Sequence, residues 1–470
     1  MVNTVLKLQE VNYTGHSSTP NTEKPLPFRS NPAPVYEENF HLVISEMAQL
    51  INNNKVDEKK LERGEALNIP AYNALSKYIA TSPSIDFSEG EEAQKDFARL
   101  VDTYLFADQR LNLVHSYLYS FISIASEKKI PSPLSNMAKF CRDVLFDSCE
   151  EAKALFKNKE ADDVLTQLII QELSHLTSDK TSKQAIRENT NVLPQLTQLF
   201  QEDVLYLKNH PSYLLSNLEL LVNYYAFTYI MQFLIKSQQY TKADFYEVEP
   251  LFYTLADEVV TKARDAAKPL RGYKRVQDAA TYGFAHYEVL QQLSHNIFNE
   301  KHERKPVLTY DELFRRTQEL GLENQLEKDL QQWMERYADV MKKELPHIPS
   351  DSTIDELLRI HVRFVHENMK KAPRERFKDS ITRLGKEHFL KLRGPLGYVL
   401  TLNHDLLILL TAVIVGDEPK PLAVVLQGFE KRGIALDRYT IAQIIEIFTT
   451  QNILDNKSDS GDTQYVKPIL

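Results

Sequence analysis

The chain is short of glycine, with 13 among 470 residues, where about 7% is usual. That shortage disfavours β-sandwiches and glycine-rich nucleotide folds, and it favours helix. No Gly-x-x-x-x-Gly-Lys-[Ser/Thr] sequence occurs, so the loop that cradles a nucleoside triphosphate is missing. The nearest approach, "RLGKEHF" (383–389), has one glycine ahead of its lysine and neither Ser nor Thr behind it. His-Glu-x-x-His and Gly-x-Ser-x-Gly are also missing, which removes the zinc-protease helix and the hydrolase elbow. His361 and His366 in "HVRFVHE" stand five apart, ~500° around a helix of 3.6 residues per turn, too far round to share a metal. Asp244, Glu247 and Glu249 crowd a helical, aromatic-rich stretch without the lysine that metal-dependent nucleases pair with such carboxylates. These absences predict a chain with no catalytic residues, no metal and no cofactor.

Cysteine is equally scarce. Cys141 and Cys149, eight apart, fit neither a zinc knuckle nor a disulfide framework and read as core thiols on one helix in a reducing compartment. The opening "MVNTVLKLQEVNYTGHSS" lacks the charged head and apolar run of a leader. The most apolar stretch, Leu214 to Ile235, carries Asn217, Glu219 and Asn223, costly in lipid and ordinary in a buried helix. We expect a cytoplasmic protein with no membrane contact.

What the chain does have is uneven charge. The net charge is -9, yet Arg359 to Arg393 holds 11 Lys/Arg against 4 Asp/Glu, a net of +7. Residues 394–470 then carry -3, which leaves -13 for the first 358. One basic block sits in an acidic chain. Arg374, Arg376, Arg383, Lys386, Lys391 and Arg393 fall there at roughly helical spacing among Phe377, Ile381, Leu384 and Phe389. They are the candidate double-stranded DNA contacts; the bland alternative is a solvated helix face.

Four regions follow from composition. Residues 1–35, with Pro20, Pro25, Pro27, Pro32 and Pro34, form an extended arm. Residues 36–300 form a helical body, broken near Pro131, Pro211, Pro250 and Pro269. Eleven Tyr and Phe between Tyr213 and Tyr253 could stack bases, but their Leu, Ile and Val neighbours favour core packing. Residues 301–394 continue as helices. One runs from a Thr309/Glu312 capping box to about Leu345, and another opens on a Thr353/Glu356 box.

Residues 395–470 are the most specific. "NHDLLILLTAVIV" with Asn403 as cap, then "PKPLAVVLQGFEKRG" with Gly433 at its end, precede the short strand "IALD". Asp437 caps "RYTIAQIIEIFTTQ", after which "ILDNK" and "TQYVK" flank a turn at "SDSGD". Helix, helix, strand, helix, hairpin is the order of a winged helix. The fold class expected is therefore mainly α: a multi-helical body with a C-terminal winged-helix domain. Its recognition helix, Arg438 to Gln451, is poor in cations. Lys457, Asp459, Asp462, Gln464 and Tyr465 in the wing are accordingly read as partner-binding residues.

Three stretches carry a family resemblance: "FLKLRGPLGYVLTLNHDLLILLTAVIVGDE" (389–418), "FEKRGIALDRYT" (429–440) and "NKSDSGDTQYVKPIL" (456–470). In them the chain resembles the DptG (DndG) family of bacterial DNA phosphorothioation-dependent restriction systems. The likeness is densest over 389–470 and extends more loosely through the aromatic core and the "LPFRSNPA" arm. It implies a non-catalytic subunit of an anti-phage complex that attacks DNA lacking the sulfur mark, alongside DptF-like and DptH-like NTPase subunits. No catalytic residues follow from it. The alternatives are a stand-alone winged-helix transcriptional regulator and a cryptic nuclease.

Overall fold

The computed structural model describes residues 4–7, 21–29, 36–67, 69, 72–87, 90–107, 110–126, 128–179, 186–456 and 464–470. They are mainly helical. The axis of the core is the 27-residue helix Pro211–Ser237, with Pro211 in its first turn. Every residue from Leu221 to Ser237 is buried, so this helix is apolar all round rather than amphipathic. Among the described residues it alone is long and apolar enough to cross a membrane, and 89% of its most apolar window lies inside the protein. Tyr224, Tyr225, Phe227, Tyr229 and Phe233 are fully buried along it. The first four meet other rings edge-on or stacked, and Phe233 meets Phe245 at a tilt. They are core.

Helices Tyr273–Leu293 and Lys371–Gly385 pack against this axis. The approach is close because two contact positions have no side chain. A Cβ on Gly385 would meet the Phe227 ring at 2.6 Å, and one on Gly283 would meet Phe377 at 2.6 Å.

The arm is fastened to this body. Val5, Leu6, Leu26 and Phe28 are buried. The Val5 and Leu6 amides donate to Asp329 at 2.5 and 2.8 Å. Arg29 forks onto buried Glu288 through two bonds of 2.6 Å.

Several local expectations hold and several need correction. The Thr353/Glu356 box forms, and Asn403 and Asp437 cap their helices as expected. Gly433 takes φ +91 after the helix Leu422–Lys431. The Thr309/Glu312 box does not form; Glu312 is drawn to Arg315 and Arg316, each at 2.7 Å. The long helix expected after it is two, Tyr310–Glu319 and Glu323–Met341, separated where Gly321 adopts φ +65. Cys141 is buried in the π turn Cys141–Leu145, whereas half-buried Cys149 precedes the helix Glu150–Lys157. The two thiols do not share a helix.

The largest departure is a strand inside the helical body. Leu251–Leu255 is one of the two inner strands of a four-stranded sheet ordered Leu390–Leu392, Tyr398–Leu402, Leu251–Leu255, Ile434–Leu436. Leu251–Leu255 pairs in parallel with both of its neighbours, in register Thr254 with Thr401 and Tyr253 with Leu436. The Leu390–Leu392 edge is antiparallel. A strand covered on both faces reads as a continuous apolar run, which periodicity cannot tell from buried helix. The C-terminal helices Leu422–Lys431 and Arg438–Thr450 pack on this sheet, and His404–Val415 packs on Leu422–Lys431 and the core axis. The ladder of Leu454–Asn456 with Gln464–Val466 follows, and Gln464–Val466 also pairs with Lys420–Pro421.

Candidate nucleic-acid interface

In sheets with parallel strands, ligands collect outside the strands' carboxyl ends. Here that end is built from the loop after Leu251–Leu255 (residues 256–272) and the start of the helix Arg438–Thr450. The two are locked together by Arg264. Its guanidinium, buried to 7% exposure, forks onto Asp437 at 2.6 and 2.7 Å. It also reaches Thr440 at 2.8 Å and Glu258 at 2.5 Å. Glu258 in turn accepts from the Leu255 amide and the Thr440 hydroxyl. Burial pushes the Asp437 carboxyl up, but the Arg264 guanidinium and the Thr440 and Tyr439 amides outweigh it and hold it below its ordinary value. The Arg264–Asp437 pair therefore stays ionised.

Beside it opens a cavity of about 780 Å³ lined by Phe252, Val259, Thr261, Leu436, Arg438 and Tyr439 among others. Its lining sets Arg264 and Arg438 against Asp265 and Asp437, and the excess of cations lies along the adjoining segment. Residues 262–275 carry Lys262, Arg264, Lys268, Arg271, Lys274 and Arg275 against one acid, Asp265. Arg271, with 55% of its side chain exposed, lies 5.7 Å over the Phe252 ring. Arg438 lies 4.6 Å over Tyr439, whose ring also meets Arg264 at 4.9 Å. Asp265 holds Lys268 at 2.6 Å and Arg271 at 3.0 Å.

The six expected DNA contacts do not share one helix. Only Arg374, Arg376 and Arg383 lie within the helix Lys371–Gly385, and Lys386 caps it. Lys391 lies on a strand and Arg393 just beyond it, because helix spacing ends at Gly385. Arg376 and Lys386 are exposed, with the Lys386 ammonium 5.7 Å from the Tyr398 ring. Arg383 pairs with Asp379 at 2.7 Å. Arg374 turns to His366, Nη1 to Nε2 2.5 Å; burial and that guanidinium push the imidazole down to about 4. Lys391 and Arg393 are brought together: both donate to the Ala256 carbonyl at 2.7 Å, at the sheet end just described.

Of the expected wing residues, Gln464 and Tyr465 are half-buried on a paired strand. Lys457, Asp459 and Asp462 lie outside the described residues. The helix Arg438–Thr450 exposes Arg438, Tyr439, Ala442, Gln443, Glu446, Thr449 and Thr450, a face with one cation and one carboxylate. Asp244, Glu247 and Glu249 occupy the loop between Lys242 and Leu251 rather than a helix. Glu249 is engaged with Arg275 at 2.6 Å. Among the described residues no three His, Cys, Asp or Glu side chains are grouped to hold a metal ion.

Sequence reasoning missed the run "TKARDAAKPLRGYKR" (261–275). Its six cations against one acid were a legible signal, masked by the acidic total of the body. No family model matches the chain, and no curated protein matches it.

Proposed function

We propose that the chain is a non-catalytic DNA-contacting subunit of a bacterial phosphorothioation-dependent restriction complex, joined to DptF-like and DptH-like NTPase subunits. The observation that carries the DNA contact is the meeting of cations from two segments at one sheet end, residues 262–275 and Arg438. The assignment to a restriction complex rests on the resemblance over 389–470 to the DptG family.

We read residues 395–470 as a winged helix, supported by the order of helices and by the C-terminal ladder. The exposed face of Arg438–Thr450 favours protein docking over base reading, since a reader of the major groove needs several base-directed donors and phosphate-directed cations. The same helix leaves the stand-alone regulator as the second reading.

The test is reconstitution. The chain co-purifies with the NTPase subunits and, alone, shows neither ATPase nor nuclease activity. Replacing Asp459 and Asp462 by Lys weakens co-purification while DNA affinity holds. Turnover by the isolated chain that a point substitution abolishes contradicts the reading.

A further inference from the structure

We propose that the surface around the cavity between the 256–272 loop and the helix Arg438–Thr450 grips the phosphodiester backbone of duplex DNA. Arg271 and Arg438 supply the two guanidinium forks. This rests on the DNA-contacting reading above and names the surface that makes the contact.

Both side chains are set before any ligand arrives. Arg271 rests on Phe252 and Arg438 on Tyr439, an arrangement that orients a guanidinium while leaving N–H groups for an anion. Guanidinium forks match phosphate oxygens through paired hydrogen bonds. The helix N-terminus itself is not the binding element, because Asp437 already accepts from the Tyr439 and Thr440 amides. Arg264 is excluded as well, because its pairs with Asp437 and Glu258 are buried, whereas the Arg271–Asp265 pair at 3.0 Å is exposed and correspondingly weak.

Two features select a polyanion over a single phosphate. Exposed Lys262, Lys268 and Lys274 extend beyond the cavity. Lys268 and Lys274 pair with Asp265 and Asp278 at 2.6 and 3.0 Å. Exposed pairs hold their cations weakly, so charge can be offered along a track rather than at one point. The rings are also occupied. With guanidiniums over Phe252 and Tyr439, neither is presented as a stacking platform, which single-strand binders require. Backbone contact without base stacking fits a duplex.

The experiment compares the full chain with Arg271→Gln/Arg438→Gln and Arg271→Lys/Arg438→Lys variants, and with a charge-matched Lys95→Gln/Arg99→Gln control on the helix Glu91–Leu105. Binding of labelled duplex DNA is followed across salt concentrations, beside single-stranded DNA and competition by inorganic phosphate. Each lost duplex contact lowers the log–log salt slope by about 0.9, so the Gln pair loses about twice that. The Lys pair keeps the slope but binds more weakly, having lost the forks. The control keeps both, and circular dichroism is the same for all four proteins. An unchanged slope in the Gln pair, with the parent still binding duplex, overturns this inference and leaves the DNA-contacting reading standing. A parent that binds no DNA overturns both. Displacement by inorganic phosphate as efficient as by DNA, or tighter binding of single strands, also overturns the duplex assignment.

Discussion

Arg432 and Asp203 form a bidentate pair in the protein interior, joining positions 229 apart in the sequence. Both side chains are almost fully buried, at 8% and 2%. The Tyr225 hydroxyl donates to the same carboxylate at 2.5 Å, and the Arg432 carbonyl accepts from Tyr224 at 2.6 Å. This group ties the end of the helix Leu422–Lys431 to the core axis, and so fixes the C-terminal segment on the body.

Removing one partner strands the other charge. Arg432→Leu is expected to destabilise the protein by ~3–5 kcal/mol, the usual cost of breaking a buried pair. Asp203→Leu should cost a similar amount. The double variant should cost less than the sum, since no isolated charge remains. Urea midpoints of the four proteins check this; strict additivity contradicts it.

Acid should weaken the fold through buried histidines. His286, whose Nδ1 lies 2.9 Å from the Tyr310 hydroxyl, is pushed down to about 3 by burial, with a smaller push from His366. His361 is also held well below its ordinary value by burial. It packs on Trp333, and neither ring nitrogen has a hydrogen-bond partner among the described residues. The unfolded chain binds these protons near pH 6.5 and the folded chain does not, so stability is intact above about 6.5 and falls as pH drops toward 3. Glu219 opposes this: burial and Glu387 raise it to about 7, so over 4.5–7 its protonation favours the folded state. Burial also raises Glu23, Asp143, Glu288 and Asp311 and lowers His41, His115, His366 and His388, so the contribution of one histidine is read from its own substitution. His361→Leu should shift the acid-unfolding midpoint to lower pH with little loss at pH 7. An unmoved midpoint contradicts the assignment.

Much of the fold was legible because the signals were local. Asn403, Thr353 and Asp437 were read as caps from residue type and position alone, and each accepts the expected amide. What failed depended on distant partners. Glu312 had the right spacing for a box, yet Arg315 and Arg316 outcompete Thr309 for it. Leu251–Leu255 became a strand because Tyr398–Leu402 and Ile434–Leu436, more than 140 residues away, pair with it. The basic block was legible as composition but not as a surface. Its fate was decided by Asp379, His366 and the Ala256 carbonyl.

That dispersal changes how the block should be tested. Arg376, Lys386 and Lys391 are the exposed members of the six; Lys391 is held by the Ala256 carbonyl, which leaves Arg376 and Lys386 as the candidates to meet phosphates. Arg376→Gln with Lys386→Gln should lower the duplex salt slope by about 0.9 per contact, and Gln preserves helix propensity. Lys391→Gln should instead lower the melting temperature with little change in slope, because its ammonium bonds the Ala256 carbonyl. The reverse outcome would place the phosphate track along the strand rather than the helix.

The most direct test of the central claim is restriction in cells that carry the NTPase partners. Transformation by plasmid lacking phosphorothioate is compared with and without this chain, and with the Arg271→Gln/Arg438→Gln variant. The account predicts that unmodified plasmid enters freely when the chain is deleted, that the variant restricts poorly, and that modified plasmid enters equally in every strain. Restriction of unmodified plasmid at full strength without the chain would contradict it.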